Sequence, residues 1–345
     1  MSFLGCTAVG CSLDFRFETE WPLDLLGRRS RLPPRAVIVS DSRDVAASSI
    51  ATFPTLIGNV FCMTSSALQE VVAMLGCPAA GNPAQYLFER LFEATGLDWR
   101  FLTLDVTPDQ LADALNGVQA LNFRGCLLAG PLRSAALPFL ASSSPAATFS
   151  AAASLVERQA SGLVGHMTDG RGMMEALRAH IDPTTMHVLI VGAGAAARSA
   201  ALELSLAGVA GVTVCDRTPE RAAALVTALQ ALDASPCDSM PWQATIPIPS
   251  HVGIVISAVP AGDPQRRDTK PAAEFSGMRS DLVVADFALI AQPSPVMACA
   301  LKAGACAIDG LEIHCEKTAI DFHTWTGIEP DTDMLREALD EYLNA

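Results

Sequence analysis

The chain has 345 residues, half of them hydrophobic but only 6% aromatic, and a formal net charge of −14 at pH 7. That length suffices for two domains with separate cores, and an alanine-rich, aromatic-poor composition suits the small-residue helix–sheet contacts of α/β proteins. The acidic balance argues against nucleic acid or an anionic membrane as partner, since both call for a basic face.

The ten cysteines include no Cys-x-x-Cys pair and no interleaved histidines, so no metal site is expected. No apolar run reaches the roughly 18 uninterrupted residues of a membrane helix, and Met1–Ser12 lacks a basic leader. The expected compartment is the cytoplasm, with reduced thiols. Lysine is confined to Lys270, Lys302 and Lys317, which leaves three candidates for any chemistry that needs a titratable amine.

Along the chain, residues 1–67 form an extension without a clear assignment. Leu13, Phe15 and Phe17 alternate like a half-buried strand, Ala36–Ser40 reads as a buried one, and Leu56–Phe61 offers another. From Leu68 the rhythm becomes regular. Glu70–Leu75 predicts a strand, Pro83–Thr95 a helix closed by Gly96, Trp99–Val106 a strand, Leu111–Leu121 a helix and Phe123–Ala129 a third strand. This alternation predicts a parallel sheet. The Ser/Ala-rich stretch Ala141–Ala153 reads as an interdomain connector. After a helix at Gly170–His180, a second series of strands is expected at His187–Val191, Gly211–Cys215, Gly253–Ser257, Leu282–Phe287 and Ala305–Asp309, followed by helices over Leu311–Trp325 and Asp331–Leu343.

The strongest local signal is Gly192-Ala-Gly194-Ala195-Ala196-Ala197 between a strand and a helix. Glycines there let the backbone approach a pyrophosphate, and the helix N-terminus behind them offers free N–H groups. About 20 residues on, Asp216 ends the next strand, where an acidic side chain meets an adenosine ribose. Asp216 leans the cofactor toward NAD, because its charge repels the extra phosphate of NADP. Arg217 and Thr218 follow at once, and Arg217 is placed to bind that phosphate or to stack on adenine.

Several segments together then resemble the shikimate/quinate dehydrogenase family in order and spacing. They are Leu75–Asp98, Phe123-Arg-Gly125 with Pro131, Gly165-His-Met-Thr-Asp-Gly170, the glycine turn, Asp216-Arg-Thr-Pro-Glu-Arg221, and Asp309-Gly-Leu-Glu312 through Gly327. The resemblance covers residues 68–345. It implies an α/β fold with a substrate-type domain over 68–150, completed by 311–345, a Rossmann domain with a doubly wound parallel sheet over 151–310, and a C-terminal helix returning to the first domain. It also implies hydride transfer between NAD or NADP and a small hydroxy-acid, with a Lys–Asp pair at the reacting oxygen; the expected assembly is a monomer or homodimer. Val37–Asp41 resembles a strand of type I dehydroquinase, which makes residues 1–67 a candidate remnant of that domain.

Residue by residue, the substrate half of the family pattern is rewritten. The family's two carboxylate-holding serines fall on Asn82 and Ala84, its catalytic lysine on Arg133, its substrate-facing tyrosine on Leu289 and its C-terminal glutamine on Lys317; its aspartate is kept as Asp169. Arginine holds its proton too tightly to exchange it. The expected catalytic set is therefore Asp169 with Lys317 and Arg133, and the expected substrate contacts are Asn82 and His166. Two functions are consistent with this pattern: an oxidoreductase with an altered substrate site, or a non-catalytic dinucleotide-binding regulator derived from one.

Overall fold

The computed structural model describes residues 69–259, 274–290 and 292–344, together with two short strands nearer the N-terminus. In the unit Met1–Thr64, β1 (Phe15–Arg16) pairs antiparallel with β2 (Val37–Ile38). The strand expected near Leu56–Phe61 and the dehydroquinase-remnant reading lie outside the described residues.

The unit Ser65–Ala345 holds two six-stranded sheets. The first begins with β3 (Glu70–Gly76), α1 (Ala84–Thr95), β4 (Trp99–Asp105), α2 (Leu111–Ala120) and β5 (Gly125–Leu128). Both β4 and β5 pair parallel with β3, as the alternation predicts. Helix α1 buries Leu87, Phe88, Leu91 and Phe92, the i, i+1, i+4, i+5 stripe of an amphipathic helix. It stops at Gly96, whose φ of 68° is the left-handed closing position that glycine adopts without strain.

The segment after β5 differs from the expected connector. It folds into α3 (Leu132–Ala135), β6 (Ser142–Ser143) and α4 (Pro145–Ser150), with Ser144 Oγ accepting from Ala147 N at the start of α4. Two further strands, β7 (Leu155–Gln159) and β8 (Gly162–His166), continue the first sheet, giving the order β4-β3-β5-β7-β8-β6. Strand β7 is antiparallel to β5. Residues 151–166 thus belong with the first sheet, a correction to the expected boundary at 150. The physical reason is the pairing of Leu155–Glu157 with Gly125–Leu127, a long-range contact with no local sequence signature.

Helix α5 (Asp169–His180) leads into the second sheet through β9 (His187–Val191), α6 (Ala195–Leu206), β10 (Gly211–Asp216), α7 (Pro219–Gln230) and β11 (Cys237–Pro241). A small pair, β12 (Thr245–Pro247) with β14 (Glu274–Ser276), lies outside this sheet. The sheet itself continues with β13 (Val252–Ser257), β15 (Val283–Asp286), α8 (Pro295–Ala303) and β16 (Cys306–Ile308). Its order, β11-β10-β9-β13-β15-β16 with every pair parallel, is the doubly wound Rossmann arrangement. Helices α9 (Gly310–Thr326) and α10 (Thr332–Asn344) then return to the first sheet. Phe322 and Trp325 of α9 are buried against Phe88, with ring centroids 6.3 and 5.4 Å away, and Trp325 Nε1 donates to the Val156 carbonyl at 3.2 Å.

Candidate active site

Strand order reverses between β9 and β13, which opens a crevice at the carboxyl ends of those strands. Gly192 turns the chain there with a φ of 114°, and a Cβ on it would lie 2.8 Å from the Ala258 carbonyl oxygen. Only glycine meets both conditions. Gly194 is the N-cap of α6, and no side chain caps the helix. The first-turn amides of Ala195, Ala196 and Ala197 are thereby left to an anion, with the helix dipole behind them. The Arg221 guanidinium comes within 3.3 Å of the point where a Gly194 Cβ would stand, adding a positive charge beside the turn. A glycine cradle with an uncapped helix and an adjacent arginine fits the pyrophosphate of a dinucleotide.

Asp216 is buried and braces this turn. Its Oδ2 accepts from Ala193 N at 2.7 Å and its Oδ1 from Thr218 N at 2.8 Å. Each oxygen is engaged by one backbone amide and keeps a further lone pair. The Arg217 guanidinium lies over the Trp242 ring, 4.8 Å from its centroid.

A cavity of about 180 Å³ lies beside the turn, lined by Asn82, Arg133, Asp169, Ala196, His314 and Lys317 among others. It therefore joins the start of α6 to the face of the first sheet. Arg133 Nη1 donates to Asp169 Oδ2 at 2.5 Å, and Arg133 Nε to the Leu128 carbonyl at 2.9 Å. Asn82 Oδ1 accepts from Ala84 N at 2.9 Å, so its amide N–H groups remain as donors on the cavity wall.

Lys317 lines the cavity, but its ammonium bonds Asp321, one turn along α9, and not Asp169. The partner of Asp169 is Arg133. The local i, i+4 carboxylate is within reach of a helical lysine without any bending of either chain. Asp321 is completely buried, and its second oxygen accepts from Thr168 Oγ1 at 2.6 Å, which in turn lies 3.0 Å from Ser154 Oγ. Close helix packing makes this network possible: a Cβ on Gly172 would fall 2.8 Å from Lys317 Cα, so α5 and α9 touch backbone to backbone.

His166 is not brought to the cavity. Its Nε2 lies 3.1 Å from Glu157 Oε2 across the β7–β8 pair. The sequence reading missed His314 on α9, whose burial pushes its pKa down to about 3, with the positive charges of Lys317 and Arg133 lowering it further against the opposing Asp169. It also missed Asp321, Thr168 and Ser154. Residues 314, 317 and 321 recur at helical spacing, and three ionisable residues on one helix stripe was the available signal. Among the described residues, no group of three or more His, Cys, Asp or Glu is arranged to hold a metal, and no helix is long and apolar enough to cross a membrane.

Comparison with known proteins decides the family. The shikimate dehydrogenase substrate-binding domain matches residues 75–156, and shikimate/quinate 5-dehydrogenase matches residues 175–304. The shikimate dehydrogenase (NADP(+)) of Moorella thermoacetica is 30% identical over 279 residues, covering 80% of this chain and 94% of that protein. The chain belongs to the shikimate/quinate dehydrogenase family. The shikimate dehydrogenase (NADP(+)) of Desulforamulus reducens is 27% identical over 275 residues, covering 78% and 94% of the two chains. Among solved structures, the 5-ketofructose reductase of Gluconobacter sp. strain CHM43 superposes with a TM-score of 0.74 at 26% identity, over 80% of this chain and 99% of that one. A shikimate dehydrogenase in complex with NADP+ gives 0.72 at 25%, over 80% and 96%. The two family matches, over residues 75–156 and 175–304, reach strands of both sheets.

Proposed function

We propose that the chain is an NAD(P)-dependent oxidoreductase that works on a hydroxyl or ketone carbon of a small hydroxy-acid seated in the cavity beside the glycine turn. The observation that carries this reading is that Ala196, at the start of the dinucleotide-type helix, lines one cavity with Asp169, Arg133, Lys317 and Asn82. When bound, the nicotinamide supplies or accepts the hydride. The residues around it position the ligand. Asp169 offers a carboxylate oxygen to the ligand hydroxyl, Arg133 orients that carboxylate and presents positive charge to an acid group, and Asn82 contributes amide donors. Arg133 exchanges no proton at neutral pH, so turnover of shikimate itself is expected at least about a thousandfold below that of relatives with a lysine there.

For the dinucleotide we favour NADP over the NAD preference expected from Asp216. Arg221 brings positive charge to the turn. The relatives named above carry NADP(+) in their names.

A second reading, dinucleotide binding without turnover, is favoured by one observation, the arginine where a proton-exchanging amine is needed. Separate experiments distinguish the two. Fluorescence titration with NADPH and NADH tests the cofactor site, and nicotinamide absorbance during incubation with shikimate, quinate and their keto forms tests turnover. Saturable NADPH binding with no absorbance change on any of these acids would leave the regulator reading standing. Absence of dinucleotide binding would refute both.

A further inference from the structure

Most polar groups on the cavity wall are spoken for. Lys317 is bonded to Asp321, Asp321 to Thr168, Thr168 to Ser154, and Arg133 to Asp169 and the Leu128 carbonyl. Two side-chain atoms of cavity-lining residues, Asp169 Oδ1 and His314 Nε2, are shielded from solvent and have no hydrogen-bond partner. Buried polar atoms of native proteins are nearly always paired, and those that are not mark a ligand, an ordered water or a catalytic role.

Both residues line one cavity and the two atoms are not bonded to each other, so each has one hydrogen bond still to make. A carboxylate oxygen accepts only, whereas a neutral imidazole nitrogen either gives or takes one bond, according to tautomer. The ring stays neutral at physiological pH because burial, Lys317 and Arg133 all disfavour its protonation, with Asp169 alone opposing them. A neutral, hydrogen-bonding ring and an acceptor oxygen are each matched by a hydroxyl, which donates and accepts at once. An anionic group at this point would meet the Asp169 carboxylate.

We infer that His314 Nε2 and Asp169 Oδ1 form a two-point recognition site for ligand hydroxyl groups, and that His314 determines specificity for a polyhydroxylated compound over its deoxy analogue. This rests on the proposed use of the cavity for a hydroxylated substrate and adds a residue that the family pattern leaves unassigned. His314 is a binding residue here, and no proton transfer is assigned to it.

The test uses the full chain saturated with NADPH, with shikimate, quinate and myo-inositol as probes and calorimetry as the readout. His314→Leu is expected to weaken binding of whichever probes bind by about ten- to a hundredfold, the range for a buried hydrogen-bonding group left unpaired, whereas His314→Gln, which keeps a donor and an acceptor, stays within about threefold of the parent. Of the six histidines, His314 alone should show a shift of its Nε2 resonance in nitrogen-15 spectra on probe saturation. Unchanged affinity in His314→Leu with an unmoved resonance overturns the inference and assigns the two atoms to a buried water. Failure of all three probes to bind overturns it as well. Binding that depends on His314 without any nicotinamide turnover would instead refute the hydride-transfer reading and leave the recognition site in place.

Discussion

The Arg133 guanidinium and the Asp169 carboxylate meet at 2.5 Å on the wall of the cavity, the first with 30% of its side chain exposed and the second with 6%. This pair occupies the place where the family resemblance puts a lysine and an aspartate. Arg133→Lys keeps the charge while supplying an amine able to exchange a proton, so it is expected to raise kcat for shikimate oxidation by at least about tenfold, part of the 10²–10⁴ that positioned acid–base groups contribute. Steady-state rates with NADP+ and shikimate check this. A variant no faster than the parent would mean that more than one group separates this cleft from the ordinary reaction.

Arg133→Met should behave differently. It strands the Asp169 charge, at a cost of about 1–3 kcal/mol, less than for a fully enclosed pair because Arg133 reaches solvent. Where turnover is measurable, KM should rise more than kcat falls, since the arginine holds an anion and exchanges no proton. Chemical unfolding together with a KM–kcat comparison reads both effects.

Lys317 and Asp321 make the more consequential pair for stability. Both are buried, and Lys317→Met leaves a completely enclosed carboxylate without its counter-charge, expected to cost about 3–5 kcal/mol. The double variant Lys317→Met with Asp321→Leu should recover most of that loss, because replacing a whole buried pair by apolar groups is often neutral. Equal stability of the single and double variants in urea would show that the pair is not coupled.

His314 predicts a pH dependence. Its folded pKa of about 3 lies below the ordinary 6.5, so between those values the unfolded chain binds the proton and the folded chain does not. The stability linked to the neutral ring is therefore complete above about pH 6.5 and is lost as pH falls toward 3, at about 1.4 kcal/mol per unit. From pH 7 to pH 5 the parent should lose about 2 kcal/mol more than His314→Leu, in which that proton has no site. Parallel unfolding curves at the two pH values supply the comparison; identical pH slopes would argue for a solvated ring.

At the glycine turn, Gly194→Asp sets a carboxylate where a pyrophosphate fits and offers Arg221 a competing partner. NADPH affinity should fall by at least about a hundredfold, by steric and charge conflict at the helix N-terminus. Fluorescence titration measures it, and undiminished affinity would remove the dinucleotide assignment from this turn.

The legible parts of the fold were those whose determinants are contiguous. A strand, two glycines and a helix run together at 187–206, and the physics of the turn can be read in a line. Strand β11 could not be read so. Cys237–Pro241 is a largely exposed edge strand with no apolar alternation, defined by its backbone pairing with Val212–Asp216. The β7–β8 pair escaped for the same reason, its place being set by β5. At the site, the residue types at 133, 169 and 317 were readable as a rewritten pattern and the i, i+4 spacing of Lys317 and Asp321 was there to be read, but the continuation of that pair to Thr168 and Ser154 depended on a helix contact invisible in one dimension.

That contact, at Gly172, has a consequence for how the site is able to change. Because α5 and α9 meet through main chain, the offset between Asp169 at the start of one helix and His314 near the start of the other is set by backbone and not by the side chains around them. Residues on the wall are then free to vary in size and polarity while Asp169 and His314 keep their registration. A scaffold of this kind behaves as a fixed caliper with exchangeable jaws, able to accept a different small molecule by substitution at the wall alone.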